Sequence, residues 1–209
     1  MTYKNEGYEV IRMAIPKSIL SVAQGYFDIL HLQNKFEQKN LKSVAGGAVD
    51  RYCDALATVI QGSVQQTLEK TTNLTLLPTY NYSRIYPAGT PLLPHTDRPA
   101  CEISATLTIQ NKPNIIWPIF LRNRAEVTIQ VDLNPGDMLI YNGMELPHWR
   151  EPGKVQQTGI FLHWVDANGP HAQQQGDPKR NSSPRNLGAL QEKRDKETLA
   201  AKAPTFEFK

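Results

Sequence analysis

The sequence has few cysteines and no long apolar run. Cys53 and Cys101 are the two cysteines of the 209 residues, too few for a disulfide framework. No apolar run approaches the length of a membrane-spanning helix. The N-terminal segment Met1–Glu6 has no apolar stretch of the kind that a secretory signal contains. These absences predict a protein of the reducing cytoplasm that has no membrane partner.

The chain also has little excess charge of one sign. The net charge is +3, and residues 167–209, with eight Lys or Arg against five Asp or Glu, contain all of it. A neutral body at 1–166 argues against nucleic acid as the main partner. Residues 167–209 also lack an apolar face long enough to pack, so we predict a basic, disordered tail there.

One domain at 1–166 is expected from this length and from a 40% hydrophobic composition. Its first part, 1–72, is predicted to be a helical support. Apolar residues at near-helical spacing predict one helix from Pro16 to about Phe36 and a second from about Val49 to Leu68.

Residues 73–166 have a different pattern, which predicts a β core. Short β-rich segments alternate with Pro, Gly and Asn, as in a sandwich or barrel whose face the two helices cover. The fold class is therefore mainly β with flanking helices. The predicted strands are Thr79–Tyr86, Ile103–Ile109, Ile115–Leu121, Ala125–Val131, Asp137–Tyr141, Pro147–Arg150 and Gln157–Trp164.

Three residues of the β core form a candidate metal site. His95 and Asp97 are two residues apart in an extended segment, so both side chains point to the same side. His148 follows 51 residues after Asp97, at the start of a strand that can face the first segment in a jelly roll. Two histidines and one carboxylate make the facial triad of non-haem Fe(II) oxygenases. A His-x-Asp triplet alone is common, so the surrounding motifs matter.

Those motifs occur in the order of a known family. They read Arg84-Ile-Tyr86-Pro-Ala-Gly89, His95-Thr-Asp97, Pro135-Gly136-Asp137-Met-Leu-Ile and then His148. On these features the chain resembles the Fe(II)/2-oxoglutarate-dependent oxygenases, and within them the prolyl-hydroxylase-like branch. The resemblance covers about Thr79–Asp166. It implies a double-stranded β-helix, or jelly roll, with two N-terminal supporting helices.

The resemblance also implies a reaction. In the family, the metal triad holds Fe(II), 2-oxoglutarate chelates the iron, and O2 drives decarboxylation to succinate while a substrate is oxidised. Ascorbate can be required for full activity. The carboxylate of Asp97 is lost in the halogenating relatives, so its presence here favours hydroxylation. The expected substrate is a small, amino acid-like molecule or a protein side chain.

The chain departs from the family pattern at the far carboxylate of 2-oxoglutarate. The family places Arg or Lys nine or ten residues after the second histidine, where this chain has Gln157 and Thr158. Thr158 could still donate a hydroxyl. Three basic residues could replace the missing charge, namely Arg150, Arg84 and Lys154. We favour Arg150, because it lies two residues after His148 and points to the same side.

Each of these assignments has an alternative. Arg150 could instead pair with a structural acid such as Glu145 or Glu151. The hydroxyl of Tyr86 matches a position that touches 2-oxoglutarate in the family, yet Tyr86 could simply pack in the core. Tyr141 is a candidate substrate contact beside His148.

Several weaker candidates remain near the triad. Asn142, like Tyr141, could contact substrate, and Arg98 could meet an acidic substrate. Cys101 is a poor candidate for a nucleophile without a partner histidine. His163, in a buried-looking strand, is expected to be a core residue rather than a fourth ligand.

Two other kinds of function stay open at this point. The missing basic residue would suit a non-redox metal-binding jelly roll, such as a sensor or a cupin-like isomerase. Alternatively, the barrel could be a scaffold from which the basic tail recruits a partner. The sequence predicts neither the substrate nor the oligomeric state.

Overall fold

Eleven strands and three helices occur in residues 2–38 and 43–178, which the computed structural model describes. The helices are α1 (Thr2–Glu6), α2 (Lys17–Leu32) and α3 (Ala55–Thr72). The strands are β1 (Tyr8–Ile11), β2 (Glu37–Gln38), β3 (Val49–Tyr52), β4 (Leu76–Tyr86), β5 (Leu92–His95), β6 (Ile103–Lys112), β7 (Ile119–Arg122), β8 (Thr128–Val131), β9 (Met138–Asn142), β10 (His148–Arg150) and β11 (Gln156–Asp166).

The strands form two antiparallel sheets. The large sheet has the order β1-β9-β6-β11-β4-β3-β2, and the small sheet has the order β5-β10-β7-β8. Leu121 of the small sheet packs with Leu139 of the large one, and Trp117, just before β7, packs with Tyr86. The mainly-β fold class predicted from the sequence is confirmed.

The large sheet has one apolar face and one polar face. Strand β6 shows the alternation, because Ile103, Ala105 and Leu107 pack with the helices while Ser104 and Thr106 point the other way. Both long helices cover the apolar face, as predicted.

Among the described residues, no helix has both the length and the apolar character needed to cross a membrane.

Two elements begin four or more residues later than predicted. The second helix begins at Ala55 rather than Val49, because the Asp54 side chain caps the backbone N–H groups of Leu56 and Ala57. The residues predicted as its first turn form β3, which pairs with β4. The strand predicted to begin at Ile115 begins at Ile119.

The packed body extends beyond the predicted boundary at residue 166. The backbone N–H of Ala167 donates to Thr75 at 2.8 Å, and that of Gly176 donates to Pro78 at 3.1 Å. Asp177 is fully buried. Residues 167–178 are thus part of the body rather than of a disordered tail. The rest of the predicted tail, 179–209, lies outside the described residues.

Candidate metal centre

The pairing of β5 with β10 brings the two histidines of the predicted triad together. His95 and His148 are direct partners across this ladder, and their ring centroids are 4.3 Å apart. Asp97 Oδ1 lies 3.7 Å from His95 Nε2 and 3.8 Å from His148 Nε2. One ligand atom from each residue lies within 4.8 Å of the other two, so the three side chains can hold one metal ion.

Backbone carbonyls fix the tautomer of both imidazoles. His95 Nδ1 lies 2.8 Å from the carbonyl oxygen of Leu93, and His148 Nδ1 lies 3.0 Å from that of Leu146. A carbonyl oxygen only accepts hydrogen bonds, so each Nδ1 must carry the proton. Each Nε2 therefore keeps its lone pair and directs it toward Asp97, as a metal ligand must.

Hydrogen bonds fix the position of Asp97 on the side away from the two histidines. Ser104 Oγ donates to Asp97 Oδ2 at 3.0 Å, and the Asp97 backbone N–H donates to the carbonyl of Gly143 at 2.7 Å. A Cβ atom at Gly143 would lie only 2.4 Å from Asp97 Oδ2. Oδ1 is left facing the two histidines, and the missing side chain at Gly143 makes room for the carboxylate.

Burial shifts the pKa of each residue of the triad. Burial raises the pKa of Asp97 to about 6 and lowers the pKa of His148 to about 4. Burial and the neighbouring His148 also lower the pKa of His95. The imidazoles are thus neutral at pH 7, which is the form that binds metal, and a divalent cation would stabilise the charged Asp97.

Arg150 is a buried cation with unused donors. Its side chain points between the sheets, and Nη1 donates to the carbonyl of Trp117 at 2.6 Å. Nε and Nη2 are buried and have no hydrogen-bond partner among the described residues. Glu145, a predicted alternative partner, pairs instead with Arg124. Burial lowers the pKa of Arg150 to about 10, so the group stays charged at neutral pH.

Arg84 contacts Tyr86 and also has an acidic partner that the sequence did not predict. Arg84 binds both carboxylate oxygens of Asp50, at 2.6 and 2.9 Å. Its remaining Nη1 donates to the hydroxyl of Tyr86 at 3.0 Å. Since Arg84 already has a carboxylate partner, it positions the Tyr86 hydroxyl rather than offering a charge. Lys154 is exposed and does not replace it.

Thr158 does not reach the site. It pairs directly with Ile85 and Gln110, and the Gln110 amide lies 3.5 Å from Thr158 Oγ1. That amide also donates to Asp28 of α2 at 2.6 Å, so the Thr158 hydroxyl is on the helix side of the sheet. The expectation that Thr158 contacts 2-oxoglutarate is therefore wrong for geometric reasons.

Two other candidates have structural partners. Asn142 Oδ1 accepts from the backbone N–H of Glu145 at 3.1 Å, so it shapes the turn before His148. The Tyr141 hydroxyl lies 3.5 Å from His148 Nε2 and borders the metal centre.

Burial raises the pKa of the Cys101 thiol to about 12, so Cys101 is not a thiolate nucleophile at neutral pH.

A cavity of about 840 Å³ opens beside the metal centre. Tyr80 and Tyr82 form part of its wall as a stacked pair with ring centroids 6.2 Å apart. The residues that line the cavity are Glu37, Val44, Asp50, Tyr52, Tyr80, Tyr82, Arg84, His95, Thr96, Asp97, Arg98 and Cys101. Because His95 and Asp97 border this space, a molecule held there would lie next to a bound ion.

Asp177 supports one side of this cavity, and sequence reasoning missed it. Both of its oxygens accept from Arg98, at 2.8 and 2.6 Å, and Oδ2 also accepts from the Tyr52 hydroxyl at 2.6 Å. Arg98 therefore has an acidic partner within the protein, contrary to the suggestion that it meets an acidic substrate. The sequence offers no signal for this pairing, because Asp177 lies 79 positions after Arg98.

Removing the Asp177 carboxylate should weaken the cavity wall. We expect Asp177→Ala to lower the free energy of unfolding by about 2 kcal/mol, since hydrogen bonds to a charged group are lost. Urea denaturation checks this value. The exposed carboxylate of Asp132 is the matched control, and Asp132→Ala should change stability by less than about 0.5 kcal/mol. Equal effects of the two substitutions would contradict a supporting role for Asp177.

Comparisons with known proteins identify the class of the fold. No family model and no curated protein matches the sequence. A prolyl-4-hydroxylase structure from Pseudomonas putida matches at 12% identity and a TM-score of 0.65, over 79% of this chain and 95% of that chain. The chain thus has the jelly-roll fold of 2-oxoglutarate- and Fe(II)-dependent oxygenases.

Two further structures extend the likeness beyond one enzyme. A Trichoplax adhaerens prolyl hydroxylase, in complex with a peptide fragment of the hypoxia inducible factor oxygen degradation domain, matches at 15% identity and a TM-score of 0.63. It covers 79% of this chain and 86% of that chain. The non-haem alpha ketoglutarate-dependent epimerase SnoN, from nogalamycin biosynthesis, matches at 14% identity and a TM-score of 0.66. The match covers 87% of this chain and 89% of that chain. The resemblance found in the sequence is confirmed at the level of the fold.

Proposed function

We propose that this chain is an Fe(II)- and 2-oxoglutarate-dependent dioxygenase that hydroxylates a small, amino acid-like molecule or a protein side chain. When bound, the iron and 2-oxoglutarate would supply the oxidising chemistry with O2, and ascorbate would support full activity. The likeness of the fold to prolyl hydroxylases and to an alpha ketoglutarate-dependent epimerase supports this class. We place the chain in the cytoplasm, because two cysteines are too few for a disulfide framework.

His95, Asp97 and His148 would hold the iron. Both imidazoles present a lone pair at Nε2, and Asp97 presents Oδ1 to the same point. Three ligands on one side leave the remaining positions of the ion open to 2-oxoglutarate and O2. The carbonyls behind the histidines and Ser104 behind Asp97 keep these atoms in place.

Arg150 is the observation that carries the proposal. A buried guanidinium with two unpaired donor nitrogens lies on the same short strand as His148. An unsatisfied buried charge is costly, and the planar fork of Arg fits a carboxylate with two parallel hydrogen bonds. We assign Arg150 to the far carboxylate of 2-oxoglutarate, with the Tyr86 hydroxyl as a second contact positioned by Arg84.

Arg150 also removes the main argument for a non-redox metal-binding module. That alternative depended on the lack of a basic residue where the family places one. Arg150 provides the charge from the strand of the metal ligand instead. Asp50 neutralises Arg84 and Asp177 neutralises Arg98, so neither charge competes for the co-substrate.

Calorimetry and product analysis test the proposal. The Mn(II)-loaded protein should bind 2-oxoglutarate, and the protein with Fe(II), ascorbate and O2 should slowly produce succinate. His95→Ala should abolish both, because it removes a metal ligand. His31→Ala alters an exposed histidine of α2 and should change neither. If the loaded wild-type protein neither binds 2-oxoglutarate nor forms succinate, the dioxygenase assignment is wrong.

A further inference from the structure

A second group of metal-ligating atoms lies next to the triad and shares Asp97 with it. Asp97, Cys101 and His163 each offer one ligand atom, and these atoms lie within 4.8 Å of one another. The two oxygens of Asp97 face different groups. Oδ1 faces His95 and His148, whereas Oδ2 accepts from Ser104, whose Oγ lies 2.9 Å from His163 Nδ1. One carboxylate can therefore serve both groups.

His163 has an unexplained buried nitrogen. The residue is 2% exposed, and its Nε2 has no hydrogen-bond partner among the described residues. The ring is held in place, since Nδ1 contacts Ser104 and the ring of Tyr80 lies 4.6 Å away. The Gln61 amide also donates to the backbone carbonyl of His163 at 2.8 Å. A buried imidazole nitrogen without a hydrogen-bond partner is open to a metal ion or a water molecule.

Cys101 provides a soft donor at the same place. It ends a short 3-10 turn, and its Sγ lies 3.0 Å from the Tyr80 hydroxyl. Cys101 and Asp97 both line the cavity, so an ion could reach them from solvent. The donor set of the second group is thus sulfur, nitrogen and oxygen, while the triad offers nitrogen and oxygen alone.

We propose that Asp97, Cys101 and His163 form a second metal site, which takes a thiophilic divalent ion such as Zn²⁺. Zinc favours thiolate and imidazole ligands in a tetrahedral arrangement, so its binding would displace the thiol proton of Cys101 to solvent, and a water from the cavity would complete the site. Tetrahedral zinc needs its ligand atoms about 3.5 Å apart. The ligand atoms lie within 4.8 Å of one another, so the three side chains must move closer together when the ion binds.

Sharing Asp97 has a regulatory consequence. An ion in the second site places a positive charge beside the triad and takes part of the carboxylate charge. Zinc in this site should therefore weaken the binding of the metal in the first site. The second site itself requires no 2-oxoglutarate chemistry, so it can be tested separately from the proposed function.

Cobalt(II) is a suitable probe of the metal-free, full-length protein. Thiolate ligation gives cobalt a near-ultraviolet charge-transfer band, which imidazole and carboxylate ligands do not produce. We expect this band in the wild-type protein and in His95→Ala, where only the triad is broken. Cys101→Ser should lose the band, while Cys53→Ser, the matched control at the other cysteine, should keep it. Added Zn²⁺ should remove the band by displacement.

Competition provides the second measurement. Zn²⁺ should weaken Mn²⁺ binding to the triad at least about tenfold more in the wild-type protein than in Cys101→Ser. If Cys101→Ser fails to fold by circular dichroism, Cys101→Ala takes its place. Absence of the band from the wild-type protein and His95→Ala overturns the proposal, as does its loss in Cys53→Ser or its persistence without the Cys101 thiol. Failure of 2-oxoglutarate binding, with the band intact, would overturn only the dioxygenase assignment.

Discussion

Replacing Gly143 by alanine is expected to weaken metal binding at the triad by about 100-fold. The new Cβ would lie 2.4 Å from Asp97 Oδ2, 2.4 Å from the carbonyl oxygen of Cys101 and 2.6 Å from Ser104 Oγ. Since backbone cannot yield as a flexible side chain does, the Asp97 carboxylate must move away from its present position. Mn²⁺ titration followed by electron paramagnetic resonance measures the affinity.

Gly25 offers a matched control for this substitution. It lies in α2, and a Cβ there would meet nothing within 4 Å. Gly25→Ala should keep the metal affinity and slightly stabilise the helix, by up to about 1 kcal/mol. An unchanged Mn²⁺ affinity in a folded Gly143→Ala protein would show that the glycine does not make room for the ligand.

Replacing Arg150 by methionine should raise the dissociation constant of 2-oxoglutarate at least about tenfold, the expected loss of a charge-assisted contact. The effect on stability should be small or favourable, because an apolar side chain of similar length replaces a buried charge. That combination separates a co-substrate ligand from a structural arginine. Calorimetry on the Mn(II)-loaded protein gives the dissociation constant, and urea denaturation gives the stability.

Two further variants make the result of Arg150→Met specific. Arg150→Lys keeps the positive charge but loses the planar guanidinium that can form two parallel hydrogen bonds. Its dissociation constant for 2-oxoglutarate should therefore lie between those of the wild type and the methionine variant. Arg122, on the neighbouring strand β7, has a half-exposed side chain, and Arg122→Ala should leave 2-oxoglutarate binding unchanged. An unchanged constant in Arg150→Met would remove Arg150 from the site.

The sequence predicted the triad from the family motifs, and local geometry accounts only for its first two residues. His95 and Asp97 lie two residues apart in an extended segment, and this spacing places both side chains together in the structure. The Pro-Gly-Asp motif was also informative, but for a structural reason. Asp137 accepts from Arg12 and from the backbone of Met13, so this motif fixes a turn rather than touching the metal centre.

Thr158 shows why the rest could not be predicted. Thr158 is placed by the family's spacing after His148, and that spacing does not say which face of β11 the side chain occupies. Thr158 lies on the same face as Ile160 and Leu162, which pack with the helices. The sequence also could not predict long-range ion pairs, such as Asp50 with Arg84 and Asp177 with Arg98, because pairing between distant segments leaves no local pattern.

Strand β5 lies at the edge of the small sheet, and β10 is its neighbour there. His95 and His148, one from each strand, are 53 positions apart in the chain. An ion bound to both would act as a reversible cross-link that closes this long loop and reduces the entropy of the unfolded chain. The metal centre would then also stabilise the fold. Removal of the ion by a chelator should cause local unfolding first at β5.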